Sequence, residues 1–220
     1  AGAMALSADP DGNIYVASGS EIFALEAITL KQKNSVKAGD ATFTSTPVVF
    51  EFQGKSMLAA TTNDGKLHVF DAATLKPTAT SAAFSDAGFQ ARAISSWQDA
   101  SGTRWILAPA AGKLATGLGA ASNGPVLKGA IVAFKLVDKN GAPTLEPGWV
   151  SRDMATPIAP AIVNGVVFAV ASGEFRTTDP KVPAATRALK SSRAVLHAFD
   201  GATGKPLWNS ATAITSFVTS

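Results

Sequence analysis

The chain has 220 residues, 46% hydrophobic and 16% charged, a content that excludes disorder over the whole length and allows one domain with a sizeable core. It has no cysteine, which excludes disulfides, zinc–thiolate centres and cysteine nucleophiles, and no apolar run long enough to span a bilayer as a helix. The net charge of +3 has a local origin, since Arg176, Lys181, Arg187, Lys190 and Arg193 outnumber Glu174 and Asp179 by that amount. A solvated basic loop rich in proline and alanine is therefore expected, rather than a nucleic-acid surface.

The opening Ala1-Gly2-Ala3-Met4 has no basic and apolar leader, so any signal peptide is expected to have been removed or to lie upstream. Residues 13–17 and 22–26 read as two strands of a first unit, whose inner strand would lie within the first eight residues or upstream. A second unit begins at Pro47, where a missing N–H does least harm to a ladder. Its strands run over 47–52, 57–62 and 66–71, separated by Gln53-Gly54-Lys55 and Asn63-Asp64-Gly65, with a weak fourth strand after Lys76. In the third unit the strands are 93–98, 104–108 and 129–134, with a Gly-, Ala- and Ser-rich insertion at 109–128. The fourth unit offers 160–163, the turn Asn164-Gly165, 166–171, 195–200 and 206–208. The basic insertion at 174–193 separates its second and third strands, and residues 183–189 suggest at most one helical turn.

The units are copies of one hairpin. The fullest copy is Val195-Leu196-His197-Ala198-Phe199-Asp200-Gly201-Ala202-Thr203-Gly204-Lys205-Pro206-Leu207-Trp208, and weaker ones follow Ile22 and Leu67. Anchored on Glu26, Asp71, Lys135 and Asp200, the units are spaced 45, 64 and 65 residues apart. The first spacing fits one four-stranded propeller blade, and the two insertions lengthen the others. The expected fold is therefore all-β: a β-propeller of four-stranded antiparallel blades at about 1–40, 41–86, 87–153 and 154–212, with 213–220 opening a further blade. In each turn the acidic side chain is expected to accept backbone N–H bonds, and Gly204 to supply a positive φ. Trp208 on an outermost strand would cover backbone and bridge adjacent blades. Trp149 holds a comparable place in the third unit, and Thr78 or Thr80 stands there in the second.

The pattern Ala198-x-Asp200-x-x-x-Gly204-Lys205-x-x-Trp208 resembles the tryptophan-docking motif of the pyrroloquinoline-quinone-type (quinoprotein-like) β-propeller superfamily. Weaker copies keep Asp71, Thr74 and Lys76, or Glu26, Thr29 and Lys31. The resemblance implies a ring of seven or eight blades and a bacterial periplasmic or extracellular location. The expected partners are then the remaining blades of a longer propeller or a second copy of the chain, a free four-bladed ring being the third option. Enzymes of this superfamily bind quinone above a vicinal disulfide and hold calcium through Glu, Asn and Asp. The chain has no cysteine and no placeable calcium motif, so no catalytic residue is carried across.

His68 and His197 occupy the same slot, three residues before Asp71 and Asp200, and a residue repeated in one slot reads as structural. The glycine-rich run at 117–124 lacks the Lys-Ser/Thr of a phosphate-cradling loop and reads as a flexible loop. The insertions 109–128 and 174–193 join equivalent strands of consecutive blades and are expected side by side on one face. The second carries the candidate interaction residues Arg176, Lys181, Arg187, Lys190 and Arg193. Two functions follow: a binding scaffold for a protein or polysaccharide in the cell envelope, or part of a quinone- and calcium-dependent alcohol or sugar dehydrogenase. No nucleic-acid partner and no transmembrane segment are expected.

Overall fold

A computed structural model describes residues 7–114, 118–177 and 179–219. The leader reading at Ala1–Met4 and the start of the glycine-rich run at Gly117 lie outside them. The strands fall into four sheets in chain order. The first contains β1 (Ser7–Ala8), β2 (Asn13–Ser18), β3 (Glu21–Glu26) and β4 (Gln32–Lys37). The second contains β5 (Val48–Phe52), β6 (Lys55–Thr61), β7 (Leu67–Asp71) and β8 (Pro77–Thr80). The third contains β9 (Ser95–Gln98), β10 (Arg104–Ala111), β11 (Ala121–Ser122), β12 (Gly129–Lys139) and β13 (Ala142–Val150). The fourth contains β14 (Ala161–Val163), β15 (Val166–Ala171), β16 (Val195–Asp200) and β17 (Pro206–Asn209).

Apart from β11, each sheet is an antiparallel meander, and the first strands β1, β5, β9 and β14 touch one another in sequence order. Side chains tie them: the Ser7 hydroxyl donates to the Pro47 carbonyl, and the Ser95 hydroxyl to that of Pro160. The sheets therefore stack face to face as blades, and an internal blade is apolar on both faces. Along β6, Met57 and Ala59 face the third blade while Leu58 and Ala60 face the first. Along β10, Ile106, Ala108 and Ala110 turn toward the second blade, and Trp105 and Leu107 toward the fourth. That two-sided burial explains why these strands read as continuous apolar runs rather than alternating ones.

The structure departs from the sequence reading in the third blade. This blade has five strands, because part of its insertion returns as β11 and pairs in parallel with β13 at Ala121↔Trp149 and Ser122↔Val150. Lys135 is not at a turn; β12 continues to Lys139 and reverses at Asn140-Gly141, both with positive φ. This is the two-residue hairpin turn that an Asn-Gly pair favours. The inner strands begin one or two residues later than expected, at Ser95 and Ala161. Residues 213–219 form no strand; Ser216 O accepts from Ala194 N–H, and Val218 N–H donates to Ser172 O.

The insertion at 174–193 forms α1 (Ala184–Lys190), seven residues with none buried, longer than the single turn expected. No helix among the described residues is long and apolar enough to cross a membrane.

The two histidines are packed against the third strands that carry them. His197 stacks on Phe199 at 5.5 Å, and His68 on Phe70 at 6.2 Å with Thr62 and Thr80 hydroxyls at its ring nitrogens. Burial holds both imidazoles below their ordinary value of 6.5, with Arg152 lowering His197 further. An unfolded histidine gains its proton as pH falls through that value, whereas the folded one resists, so the stabilisation is complete above it and lost below it. Asp9 and Asp99 act in a lower window. Burial raises their carboxyl pKa, but hydrogen bonds led by Asn13 and Ser101 respectively more than offset it, leaving both below 3.8. Their contribution is present above the unfolded value and lost as pH falls through the folded one. Thermal melts should therefore lose stability between about pH 7 and pH 5, and His68→Gln with His197→Gln should flatten that interval without moving the acid limb.

Candidate functional site

The third-to-fourth-strand turn is built the same way three times among the described residues. In the fourth blade Asp200 N–H donates to Lys205 O, and Gly204 N–H to Asp200 O. Asp200 Oδ1 accepts from both the N–H and the hydroxyl of Thr203 at 2.8 and 2.7 Å. Asp71 and Thr74 repeat this at 2.8 Å each, and Glu26 accepts from Thr29 N–H at 2.7 Å. The fifth residue is left-handed in all three: Leu30 at φ 55°, Leu75 at 57° and Gly204 at 69°. Just before the corner, each third strand has a register shift at the same place: Ala24/Leu25, Val69/Phe70 and Ala198/Phe199. The third blade shares the shift, at Ala133/Phe134, but not the turn.

These turns receive the preceding blade. The Trp149 indole Nε1–H donates to Gly201 O at 2.9 Å, and its ring lies over Gly204. A Cβ on Gly204 would stand 2.4 Å from Trp149 Cε3 and 2.8 Å from Asn123 Nδ2, so glycine is required there twice over, for its φ and for the space. Between the first two blades, the Tyr15 hydroxyl stands 3.1 Å from Ala72 O and 2.7 Å from Asp9 Oδ2, one proton between two acceptors. Asn34, opposite Ala24 as Trp149 is opposite Ala133, donates to Thr74 O at 2.8 Å. In the second blade this place belongs to Ala79, opposite Val69, rather than to Thr78 or Thr80.

Ala198, Asp200, Gly204, Lys205 and Trp208 are thus split between two roles. Asp200 and Gly204 form the receiving turn, Lys205 closes it through its carbonyl, and Ala198 pairs with Trp208. Trp208 itself is 55% exposed, whereas Trp149 is 1% exposed, so the bridging expected of Trp208 is carried by Trp149.

The two insertions meet on the opposite face. They line a cleft of about 470 Å³ together with the connector between the second and third blades. Gly112 and Lys128 come from the first insertion, Glu174, Phe175, Arg176 and Lys190 from the second, and Asp86 and Phe89 from the connector. Arg176 Nε pairs with Glu174 Oε2 at 2.9 Å, and Lys190 Nζ lies 5.0 Å from the Phe175 ring centroid. Lys181, Arg187 and Arg193 are exposed on the same insertion and outside the cleft lining. Sequence reasoning passed over Phe175, Phe89 and Asp86; the signal available was an aromatic within each connection that also carries charge.

Among the described residues no three of His, Asp and Glu come together as metal ligands.

No known family model matches the sequence, and no curated protein matches it. Solved structures do. A crystal structure of BBS1N in complex with ARL6DN, soaked with mercury, superposes with a TM-score of 0.57 at 14% identity, over 93% of this chain and 50% of that one. The dihydro-heme d1 dehydrogenase NirN in complex with DHE gives 0.56 at 10% identity, over 94% and 37%. The chain therefore has a β-propeller fold and spans half or less of these two chains.

The two joints make an exchange experiment. Gly204→Leu, which installs the residue of Leu75 beneath Trp149, should cost at least about 3 kcal/mol from overpacking and left-handed strain in urea unfolding. Adding Trp149→Asn, which copies Asn34, should cost less than the sum of the single changes, with a coupling of about 1–3 kcal/mol. Strict additivity would mean that the ring and the turn residue do not share the space.

Proposed function

We propose that the chain is part of a β-propeller binding scaffold of a bacterial cell-envelope protein with quinoprotein-like repeats, in a ring of seven or eight blades. The cleft between the two insertions would hold a protein segment or polysaccharide chain. The observation that carries this reading is the convergence of three long connections on one cleft with charges of both signs, Asp86 and Glu174 against Lys128, Arg176 and Lys190, beside Phe89 and Phe175. Aromatic faces and ionic hydrogen-bonding groups set on a rigid all-β body are what a peptide or sugar chain needs. The BBS1N–ARL6DN complex, a propeller bound to a protein, supports the binding reading, and the exposure of Lys181, Arg187 and Arg193 on the second insertion supports an acidic or polar partner. The envelope location rests on the resemblance carried by Ala198, Asp200, Gly204, Lys205 and Trp208.

A photo-cross-linking residue placed at Lys190 in the protein expressed in its source cells should yield discrete adducts, while the same residue at Lys139, on the opposite hairpin, should not. Phe175→Ala should reduce the Lys190 adducts. Equal labelling from both positions would remove the cleft from consideration. Reduction of a dye by alcohols after adding pyrroloquinoline quinone and calcium would favour the dehydrogenase instead.

A further inference from the structure

A groove of about 580 Å³ opens between the second and third blades and shares no residue with the cleft of the insertions. Gln53 lines it from the β5–β6 turn, Ser101 and Gly102 from the β9–β10 turn, and Asp138 from the end of β12. The β9–β10 wall is firmly held. Asp99 Oδ1 accepts from the N–H groups of Ser101 and Thr103, each at 2.9 Å, and Oδ2 accepts from the Trp105 indole at 2.8 Å.

Arg104 lines the groove from the face of β10 that meets the second blade, with its guanidinium 5.6 Å from the Phe50 ring centroid. Nη1 stands 3.5 Å from Ser96 Oγ, and Nη2 donates to Gln98 Oε1 at 3.2 Å. Nε is shut from solvent and has no hydrogen-bond partner. Among the described residues Arg104 joins no ion pair. Burial draws its pKa down, and the charge of Glu51 only partly offsets this. A guanidinium held in this way costs stability, because an unmet buried donor forfeits its hydration and a neutral side chain would avoid that loss. An arginine kept at that cost beside an open groove points to a ligand.

Charge then selects the kind of ligand. Glu51 and Asp138 line the same groove and are exposed. A simple anion drawn to Arg104 meets two carboxylates, and a simple cation drawn to these meets the guanidinium. A small molecule that carries both charges satisfies both groups. The half-buried Phe52 and Val137 add an apolar wall. We propose that this groove binds a small zwitterion, an α-amino acid with an aliphatic side chain. Its carboxylate sits on Arg104 and its ammonium faces Glu51 and Asp138.

Calorimetric titration of the intact chain with L-leucine, 4-methylpentanoate and 3-methylbutylamine tests this, since the last two each keep only one of leucine's charges. Leucine should bind saturably at one site, and each half-molecule at least about tenfold more weakly. Arg104→Gln should abolish leucine binding while leaving the urea midpoint no lower than that of the wild type, which a merely structural arginine would not allow. The rim pair Glu51→Gln with Asp138→Asn should weaken leucine by at least about tenfold and leave 4-methylpentanoate no weaker. Absence of saturable leucine binding in the millimolar range would overturn the proposal. So would equal binding of either half-molecule, or leucine binding that survives the arginine or the rim substitutions.

Discussion

Where two blades meet, a side chain on the outer strand of one and the left-handed residue in the turn of the next compete for a single volume. Close-packed interiors tolerate neither a void nor a clash of one methylene there, so the two residues are fixed as a pair. The molecule solves this in more than one way. Trp149 with Gly204 puts the volume on the outer strand, whereas at the Asp71 turn Leu75 is itself buried in the apolar cluster and Asn34 donates to the neighbouring Thr74 O. Between the second and third blades the turn is replaced altogether. The β12–β13 hairpin is extended, and Leu136 and Leu145 join Ala79 in the same apolar cluster. In both joints that have the turn, a backbone carbonyl just after its acidic residue, Gly201 O or Ala72 O, takes a hydrogen bond from a buried aromatic donor. The acceptor stays in place while the donor changes from indole to phenol.

Much of this could be read from the residues. The turn chemistry of Asp200, Thr203 and Gly204 and the order of strands in the second and fourth blades follow from short-range rules about φ, side-chain acceptors and apolar runs. What escaped was long-range or hidden by a gap in the repeat. Lys135 stands where the acidic anchor belongs, yet nothing local marks it as a strand residue; the decisive signal was Asn140-Gly141, five residues further on. The parallel pairing of β11 joins residues nearly thirty positions apart and leaves no periodicity to find. The meaning of the two tryptophans could not be told apart by sequence, since both sit in the same repeat slot. Only the presence or absence of a facing turn separates Trp149 from Trp208.

The candidate site was legible as a location and not as a surface. That equivalent connections of consecutive blades emerge together follows from the topology of a meander, and so the two insertions were placed side by side. Which of their residues turn inward depends on contacts that composition does not reveal. The basic residues that stood out by charge divide, with Arg176 and Lys190 lining the cleft and Lys181, Arg187 and Arg193 outside it. The residues that give the cleft its apolar character, Phe89 and Phe175, stand in segments that read only as polar loops.

The joint and the cleft are mechanically connected. The first insertion, which forms one wall, is anchored at Asn123, whose amide donates to Val150 O on β13 and to Thr203 O in the docking turn, both at 3.0 Å. The facing wall belongs to the fourth blade, which is held against the third by Trp149 on Gly201. The same glycine, Gly204, faces both Trp149 and Asn123. A substitution that lifts the ring would displace the insertion from two sides at once, through the tilt of the blade and through loss of the Asn123 anchor. By contrast α1 has no buried residue and meets the cleft through Lys190, which lies over the Phe175 ring. The first wall is thus tied directly to the joint through Asn123, and the second is tied to it through the blade that carries it.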